Sequence, residues 1–209
     1  IEVLLIDISA TAFIPLIIAA AIGTLCSKVV LKQGILMSFT TQQAFNFGNT
    51  HFYILLGIFA GFVSIYHSRT FMKIDGAFDN LKRPYVKAIA GGLLLMGLIF
   101  LFPPLFGEGY SSIISLSESK TQGLLANSAF KDLLTNDWYV LLFIGAMIFM
   151  KAIATAATLS GGGNGGNFAP SLMIGAFSGF VFARAVNLTG IAKLPESNFT
   201  LVAMAGVMT

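Results

Sequence analysis

A glycine-rich stretch, S-G-G-G-N-G-G-N-F-A-P at residues 160–170, lies between two long apolar segments and constrains the fold more than any other feature. Its glycines provide little side-chain bulk and allow backbone angles that other residues avoid. Pro170 is placed for the first turn of a helix, where its missing N–H has no helical partner. We therefore predict a loop that ends, and a helix that begins, near Asn167 or Phe168. The loop residues are Gly161, Gly162, Gly163, Gly165, Gly166, Ala169 and Pro170.

The start of that helix is a candidate anion site. The first N–H groups of a helix have no intrahelical acceptor, and hydrocarbon offers no water in its place. Because those N–H groups and the positive end of the helix dipole converge, an anion is their natural partner. Glycines in a tight turn, with the helix start satisfied by neighbouring carbonyl or hydroxyl groups, would give the same sequence. The spacing alone leaves both interpretations open.

Nucleotide-binding loops fit the stretch poorly. Gly161, Gly163 and Gly166 match G-x-G-x-x-G, but a long apolar segment precedes them where a short strand is required. The next acidic residue, Glu196, comes later than the roughly 20 residues that the dinucleotide fingerprint requires. No Gly-Lys-Ser/Thr follows, which excludes the phosphate-binding loop of NTPases.

Composition places the chain in a lipid bilayer. Of its 209 residues, 56% are hydrophobic and 10% are charged, against about 25% charged residues in soluble domains. We predict an all-α, polytopic membrane protein. The net charge of +3 is small and scattered, which argues against nucleic acid as a partner. The single Cys26 excludes an internal disulfide framework, and His51 and His67 have no cysteine or carboxylate cluster nearby, so we expect no metal site and no cofactor.

Several apolar stretches of about 20 residues are long enough to cross the roughly 30 Å hydrocarbon core. They are Ala10 to Val30, His51 to Phe71, Val86 to Phe106, Trp138 to Leu159 and Phe168 to Val186, and a further span begins at Phe199. Pro15 is a candidate kink or break in the first span, and Gly175 and Gly179 predict a small-residue packing face.

The polar connections predict an orientation. Met72 to Tyr85 carries lysine and arginine and is predicted to be a cytoplasmic loop. Ser111 to Asp137 is the longest polar stretch and is assigned to the outer side. The chain opens at Ile1 directly within an apolar run and stops within another, which suggests a fragment of a longer protein. The absence of long loops suits a bacterial inner membrane.

A few charged residues lie in or beside apolar segments. Lys151 either adds positive potential to an anion path or binds carbonyl groups at a helix end or snorkels to an interface. Arg184 is predicted to be an interface residue. Glu2 is either a helix-end residue or part of an aqueous vestibule, and Asp7 is predicted to cap a helix.

The segment from Lys151 to Ala176 closely resembles the CLC chloride channel and transporter family, whose third anion-filter motif is G-x-F-x-P, here G-N-F-A-P at 166–170. G-E-G-Y-S-S-I at 107–113 and E-V-L-L at 2–5 resemble the same family. The resemblance covers residues 1–209 and implies an all-helical domain of two inverted repeats that forms homodimers with one anion pore per subunit. It places the end of the first repeat at 1–30 and most of the second at 51–209.

The resemblance also implies a site. The main-chain N–H groups of Asn167 and Phe168 are expected to face a chloride ion, and Gly165 and Gly166 to allow its close approach. Asn167 departs from the aliphatic residue frequent in the family, which could alter the polarity of the pore. The serine-bearing filter motif, the gating glutamate and the late tyrosine are not in this chain, so the missing N-terminal half is an expected partner and the chain by itself should not conduct.

One position bears on the transport mechanism. Proton-coupled exchangers of the family carry a second carboxylate directly after the residue that matches Glu2, and here that place is Val3. Valine cannot bind a proton, so the resemblance favours passive chloride conduction over proton-coupled antiport, although Glu2 itself could substitute. Voltage, pH and a cytoplasmic regulatory domain all stay open as gating stimuli.

Two other classes of function are weaker. An intramembrane enzyme would need a nucleophile paired with a base, and Asp7, Lys151 and the serines show no such spacing. A purely structural helical subunit does not explain five glycines before a helix start. We therefore expect no enzymatic activity.

Overall fold

The computed structural model describes residues 10–30, 46–107, 109–117 and 136–208. Every regular element in these parts of the chain is helical, which confirms the predicted all-α class. Seven α-helices follow one another: α1 (Ala10–Val30), α2 (Thr50–Asp79), α3 (Pro84–Leu101), α4 (Tyr110–Ser117), α5 (Asp137–Ser160), α6 (Phe168–Leu188) and α7 (Glu196–Met208). Short 3-10 turns, Phe47–Asn49 and Pro103–Leu105, precede α2 and follow α3.

The chain divides into two compact units, residues 1–38 and 39–209. In the first unit, α1 has the predicted bounds, and Pro15 lies inside it without ending it. Of the two alternatives for Pro15, the break is therefore wrong, and the kink stays a prediction.

The second unit contains four helices that are long and apolar enough to cross a membrane. Within the described residues they are α2 with its preceding turn, α3, α5 and α6, and they confirm four of the five spans predicted in this part of the chain. The α3 helix ends at Leu101, before Pro103, instead of at Phe106. The helices α5 and α6 are mostly buried within the unit, whereas α2 and α3 expose most of their apolar surface.

The α2 helix is longer than predicted. It continues to Asp79, so residues 72–79 are helical and are not the charged loop that the sequence suggested. Polar residues in this extension have partners inside the unit: Asp79 forms an ion pair with Lys87 of α3 at 3.1 Å, and Asp75 accepts a hydrogen bond from Ser160 at 2.8 Å. Because neighbouring helices satisfy these side chains, the charges do not end the helix.

Two further boundaries differ from the prediction. The polar stretch assigned to 111–137 begins with α4, in which Ile113 and Leu116 are fully buried, while residues 118–135 lie outside the described parts. The last helix, α7, begins at Glu196 instead of Phe199. Pro195 directly precedes it, in keeping with the preference of proline for helix starts.

Two glycines of α6 allow this helix to pack closely against α7. A Cβ atom added at Gly175 would lie 2.7 Å from the carbonyl oxygen of Ala203, and one added at Gly179 would overlap the carbonyl oxygen of Phe199. The predicted small-residue packing face is therefore confirmed, with α7 as its partner. Phe177, Phe180 and Phe199 are buried beside it.

Candidate functional site

The glycine-rich loop connects two buried membrane helices. It begins where α5 ends at Ser160, and it ends where α6 begins at Phe168 with Asn167 as the N-cap residue. Pro170 lies in the first turn of α6. The predicted position of the helix start is confirmed.

The first three glycines turn the chain back over the end of α5. Gly161 and Gly163 donate main-chain hydrogen bonds to Ala157 and Thr158 at 3.0 and 2.9 Å. A Cβ atom on either glycine would lie 2.7 Å from the carbonyl oxygen to which that glycine donates. Gly162 has a φ of +97°. The tight-turn interpretation therefore accounts for these three glycines.

The second half of the loop, which contains Gly165 and Gly166, is not closely packed. No atom lies within 4 Å of a Cβ atom added at Gly166, and one at Gly165 would make only an ordinary contact of 3.4 Å with Leu159. The first hydrogen bond of α6 is donated by Ser171 to the carbonyl of Asn167 at 3.1 Å. Within the described residues, no acceptor lies against the N–H groups of Asn167 to Ala169. The helix start thus carries unsatisfied donors at the positive end of its dipole.

A cavity of about 560 Å³ opens beside this helix start. Loop residues 164–166 and first-turn residues 168–170 line it, together with Tyr110, Lys151 and Thr155. The Phe168 side chain lines the cavity and is 60% exposed, so it is not packed into the described core. The described residues therefore leave this helix start open.

Lys151 is buried beside the cavity, with 4% of its surface exposed. Its Nζ donates hydrogen bonds to the carbonyl oxygens of Leu105 at 3.0 Å and Gly107 at 2.8 Å. Leu105 is the last residue of the Pro103–Leu105 turn and Gly107 follows it, so the interpretation in which Lys151 binds carbonyl groups at a helix end is confirmed. Among the described residues no carboxylate forms an ion pair with it, and its charge stands at the wall of the cavity.

A contact that the sequence did not predict holds the end of the loop. The Oδ1 atom of Asn167 lies 2.9 Å from Nε2 of His67 in α2. His67 is 4% exposed, and within the described chain it belongs to no group of metal-ligating side chains. No local spacing could have revealed this pair, because its members are 100 positions apart.

The other end of the loop is also held by α2, through the hydrogen bond from Ser160 Oγ to Asp75 Oδ1. His67 and Asp75 are about two turns apart on that helix. One helix therefore contacts both ends of the glycine loop.

The remaining charged candidates lie elsewhere or outside the described residues. Glu2, Val3 and Asp7 belong to the undescribed segment 1–9. Arg184 donates to Asp137 at 2.7 Å and to Glu196 at 3.1 Å, and so joins the start of α5, the end of α6 and the start of α7.

The chain was compared with protein-family models and with the sequences of known proteins. The family model described as voltage gated chloride channel matches residues 1–209. An uncharacterized protein of Methanocaldococcus jannaschii is 29% identical over 174 residues, which cover 83% of this chain and 40% of that protein. The chloride channel protein CLC-e of Arabidopsis thaliana is 28% identical over 76% of this chain and 21% of its own length. The voltage-gated ClC-type chloride channel ClcB of Escherichia coli is 26% identical over 83% of this chain and 38% of its own length.

The chain thus spans 40% or less of the length of these three relatives. No solved structure matches it significantly.

Proposed function

The chain belongs to the voltage-gated chloride channel family, and on that premise we propose that the complete protein moves chloride across a membrane. We propose further that the N–H groups of Asn167 and Phe168 bind the ion. The observation that carries this assignment is the group of unsatisfied N–H donors at the start of α6, where Phe168 and Ala169 line a cavity beside α3 and α5 and Asn167 is adjacent to it in the chain.

The chemistry of the helix start suits a permeating anion. Main-chain N–H groups and the helix dipole carry partial charges, so they can replace part of the hydration shell of chloride without holding it as firmly as a full charge would. Conduction needs binding that is favourable enough for entry and weak enough for exit. Lys151 adds a full positive charge at the cavity wall, where its ammonium group donates hydrogen bonds to two carbonyl oxygens. Such a site needs no cofactor and no catalytic residue.

The rest of the pore is assigned to other parts of the complete protein. We propose that residues 1–30 end the first of two repeats, that residues 51–209 form most of the second, and that the N-terminal half of the same domain completes the chloride path. We also propose a homodimer, on the basis of the family relation, and a bacterial inner membrane, on the basis of the short connections between the apolar stretches. These proposals are tested by the oligomeric state of the complete protein in detergent and by its location in fractionated cells.

We propose passive conduction as the transport mode, because Val3 stands where exchangers of the family carry a proton-accepting carboxylate. In liposomes with a chloride gradient, the complete protein is then expected to release chloride without moving protons. A fixed ratio of protons to chloride ions would instead assign proton-coupled antiport, with Glu2 as the first residue to substitute.

The N–H assignment is tested by a matched pair of variants. Asn167→Pro removes the main-chain donor, and its φ of −86° lies near the proline value. Asn167→Ala removes only the side chain. Losing one hydrogen bond to a charged ligand costs about 1.5–3 kcal/mol, so chloride should bind Asn167→Pro roughly 10- to 100-fold more weakly than Asn167→Ala. Equal affinities in the two variants would refute the role of this N–H group.

A further inference from the structure

Four asparagines stand directly before helical segments in the described residues, and two of them, Asn49 and Asn167, make no side-chain bond to their own helix. Asn46 accepts a hydrogen bond from the N–H of Gly48 at 2.9 Å, and Asn136 accepts one from Trp138 at 3.1 Å. Both have extended backbones, with ψ values of 115° and 134°. Asn167 has a ψ of −9° and makes no side-chain bond to its own helix. The residue at the candidate anion site therefore does not do what its type usually does at a helix start.

A fourth asparagine, Asn49, also precedes a helix without a side-chain cap. Its ψ is 5°, so neither Asn49 nor Asn167 has the extended backbone that is typical of a capping residue. The side-chain oxygen of Asn167 has, in addition, a partner on another helix.

That partner is on α2. The Oδ1 atom of Asn167, the atom that would accept a capping bond, is taken by Nε2 of His67 at 2.9 Å. An amide oxygen can only accept, so the bond requires the proton on Nε2. His67 is 4% exposed, and its ring is held inside the unit. The histidine thus fixes the direction of the asparagine side chain.

The alternative position of that side chain would compete with an anion. An N-cap oxygen ordinarily accepts from the N–H two or three residues ahead. Here those positions are Ala169, which has a free N–H, and Pro170, which has none. A capping Asn167 would therefore place a partial negative charge on the donors that face the cavity. An aliphatic residue at this position would have no such alternative.

We propose that His67 is a positioning residue that holds the Asn167 side chain away from the first N–H groups of α6 and so keeps them available to a bound anion. The inference rests on the proposed function, because it concerns the same site. The bond between Asp75 and Ser160 supports it, since α2 also fixes the opposite end of the loop and thereby limits how far the loop can shift when one contact is removed.

The test compares chloride affinity in variants of the complete protein, measured by titration in detergent. His67→Phe and His67→Met both remove the donor and keep an apolar group of similar bulk. Each is expected to weaken chloride binding about fivefold, the factor that corresponds to one asparagine cap. His67→Gln keeps an N–H donor and is expected to retain most of the affinity. Thermal unfolding of each variant establishes that it folds.

The decisive measurement is the double variant. Asn167→Val has no side-chain oxygen, so combining it with His67→Phe should raise the chloride affinity above that of His67→Phe alone. A merely structural histidine would not be rescued by a change in its partner. Wild-type affinity in the donor-free variants, or a double variant as weak as His67→Phe, would overturn the positioning role. A wild-type protein that binds no chloride would overturn the proposed function itself.

Discussion

The ammonium group of Lys151 donates a hydrogen bond of 2.8 Å to the carbonyl oxygen of Gly107. It thereby joins the middle of α5 to the segment that follows α3, at the wall of the cavity in front of α6. A buried cation is costly in a membrane protein, and here two carbonyl dipoles replace the carboxylate that would otherwise be required. The arrangement compensates the cation without cancelling its charge, which suits the proposed anion pathway.

Lys151→Met should therefore affect both stability and transport. It leaves the carbonyls of Leu105 and Gly107 without their donor, at a cost of about 1–3 kcal/mol, and it removes the positive charge beside the loop. We expect a lower unfolding temperature in detergent and slower chloride release from liposomes. Lys193→Met is the control, because Lys193 is exposed. Equal behaviour of the two variants would mean that the buried charge serves neither purpose.

Gly91 of α3 touches the beginning of the loop. A Cβ atom there would lie 2.8 Å from the carbonyl oxygen of Ala157 and 3.3 Å from Cα of Gly161. Gly91→Ala should cost about 1–3 kcal/mol through overpacking and should also weaken chloride binding, since Gly161 must move. The neighbouring Gly92→Ala is the control, because no atom lies within 4 Å of the added Cβ. If both variants unfold at the same temperature, α3 does not pack on the loop as described.

Gly179 sets the distance between α6 and α7. An alanine there would overlap the carbonyl oxygen of Phe199, which belongs to backbone and cannot rotate away. We expect Gly179→Ala to destabilise the protein by about 1–3 kcal/mol or more, measured as a loss of thermal stability in detergent. Gly145→Ala in α5, where the added Cβ meets nothing within 4 Å, should be neutral or slightly stabilising. The prediction fails if the two alanines have the same effect.

Arg184 holds two carboxylates of unequal exposure. The Glu196 side chain is 10% exposed and the Asp137 side chain is 58% exposed. Asp137→Asn should change the unfolding free energy by about 0–1 kcal/mol, as for other exposed ion pairs. Arg184→Met should cost about 2 kcal/mol, because it leaves Glu196 with only the hydrogen bond from Asn187. Chemical denaturation of both variants checks the order, and a larger loss for Asp137→Asn would contradict it.

The sequence predicted a helix well where local signals marked both of its ends. Long apolar runs placed α5 and α6 within a few residues, and the glycines followed by Pro170 placed the helix start at Phe168. The same reasoning ended α2 too early, because it treated the charged stretch that begins at Met72 and includes Asp75 and Asp79 as a loop. Their partners, Ser160 and Lys87, are supplied by other helices and are invisible to a local pattern.

The same distinction between local signals and contacts of distant residues applies to the candidate site. The sequence by itself determined that a glycine loop leads into a helix within apolar surroundings, because backbone freedom and helix starts depend on a few adjacent residues. Only the tertiary structure decided that Lys151 binds two carbonyls and that His67 holds Asn167. Those contacts join residues 44 to 100 positions apart, and packing of the helices alone determines which distant side chains meet.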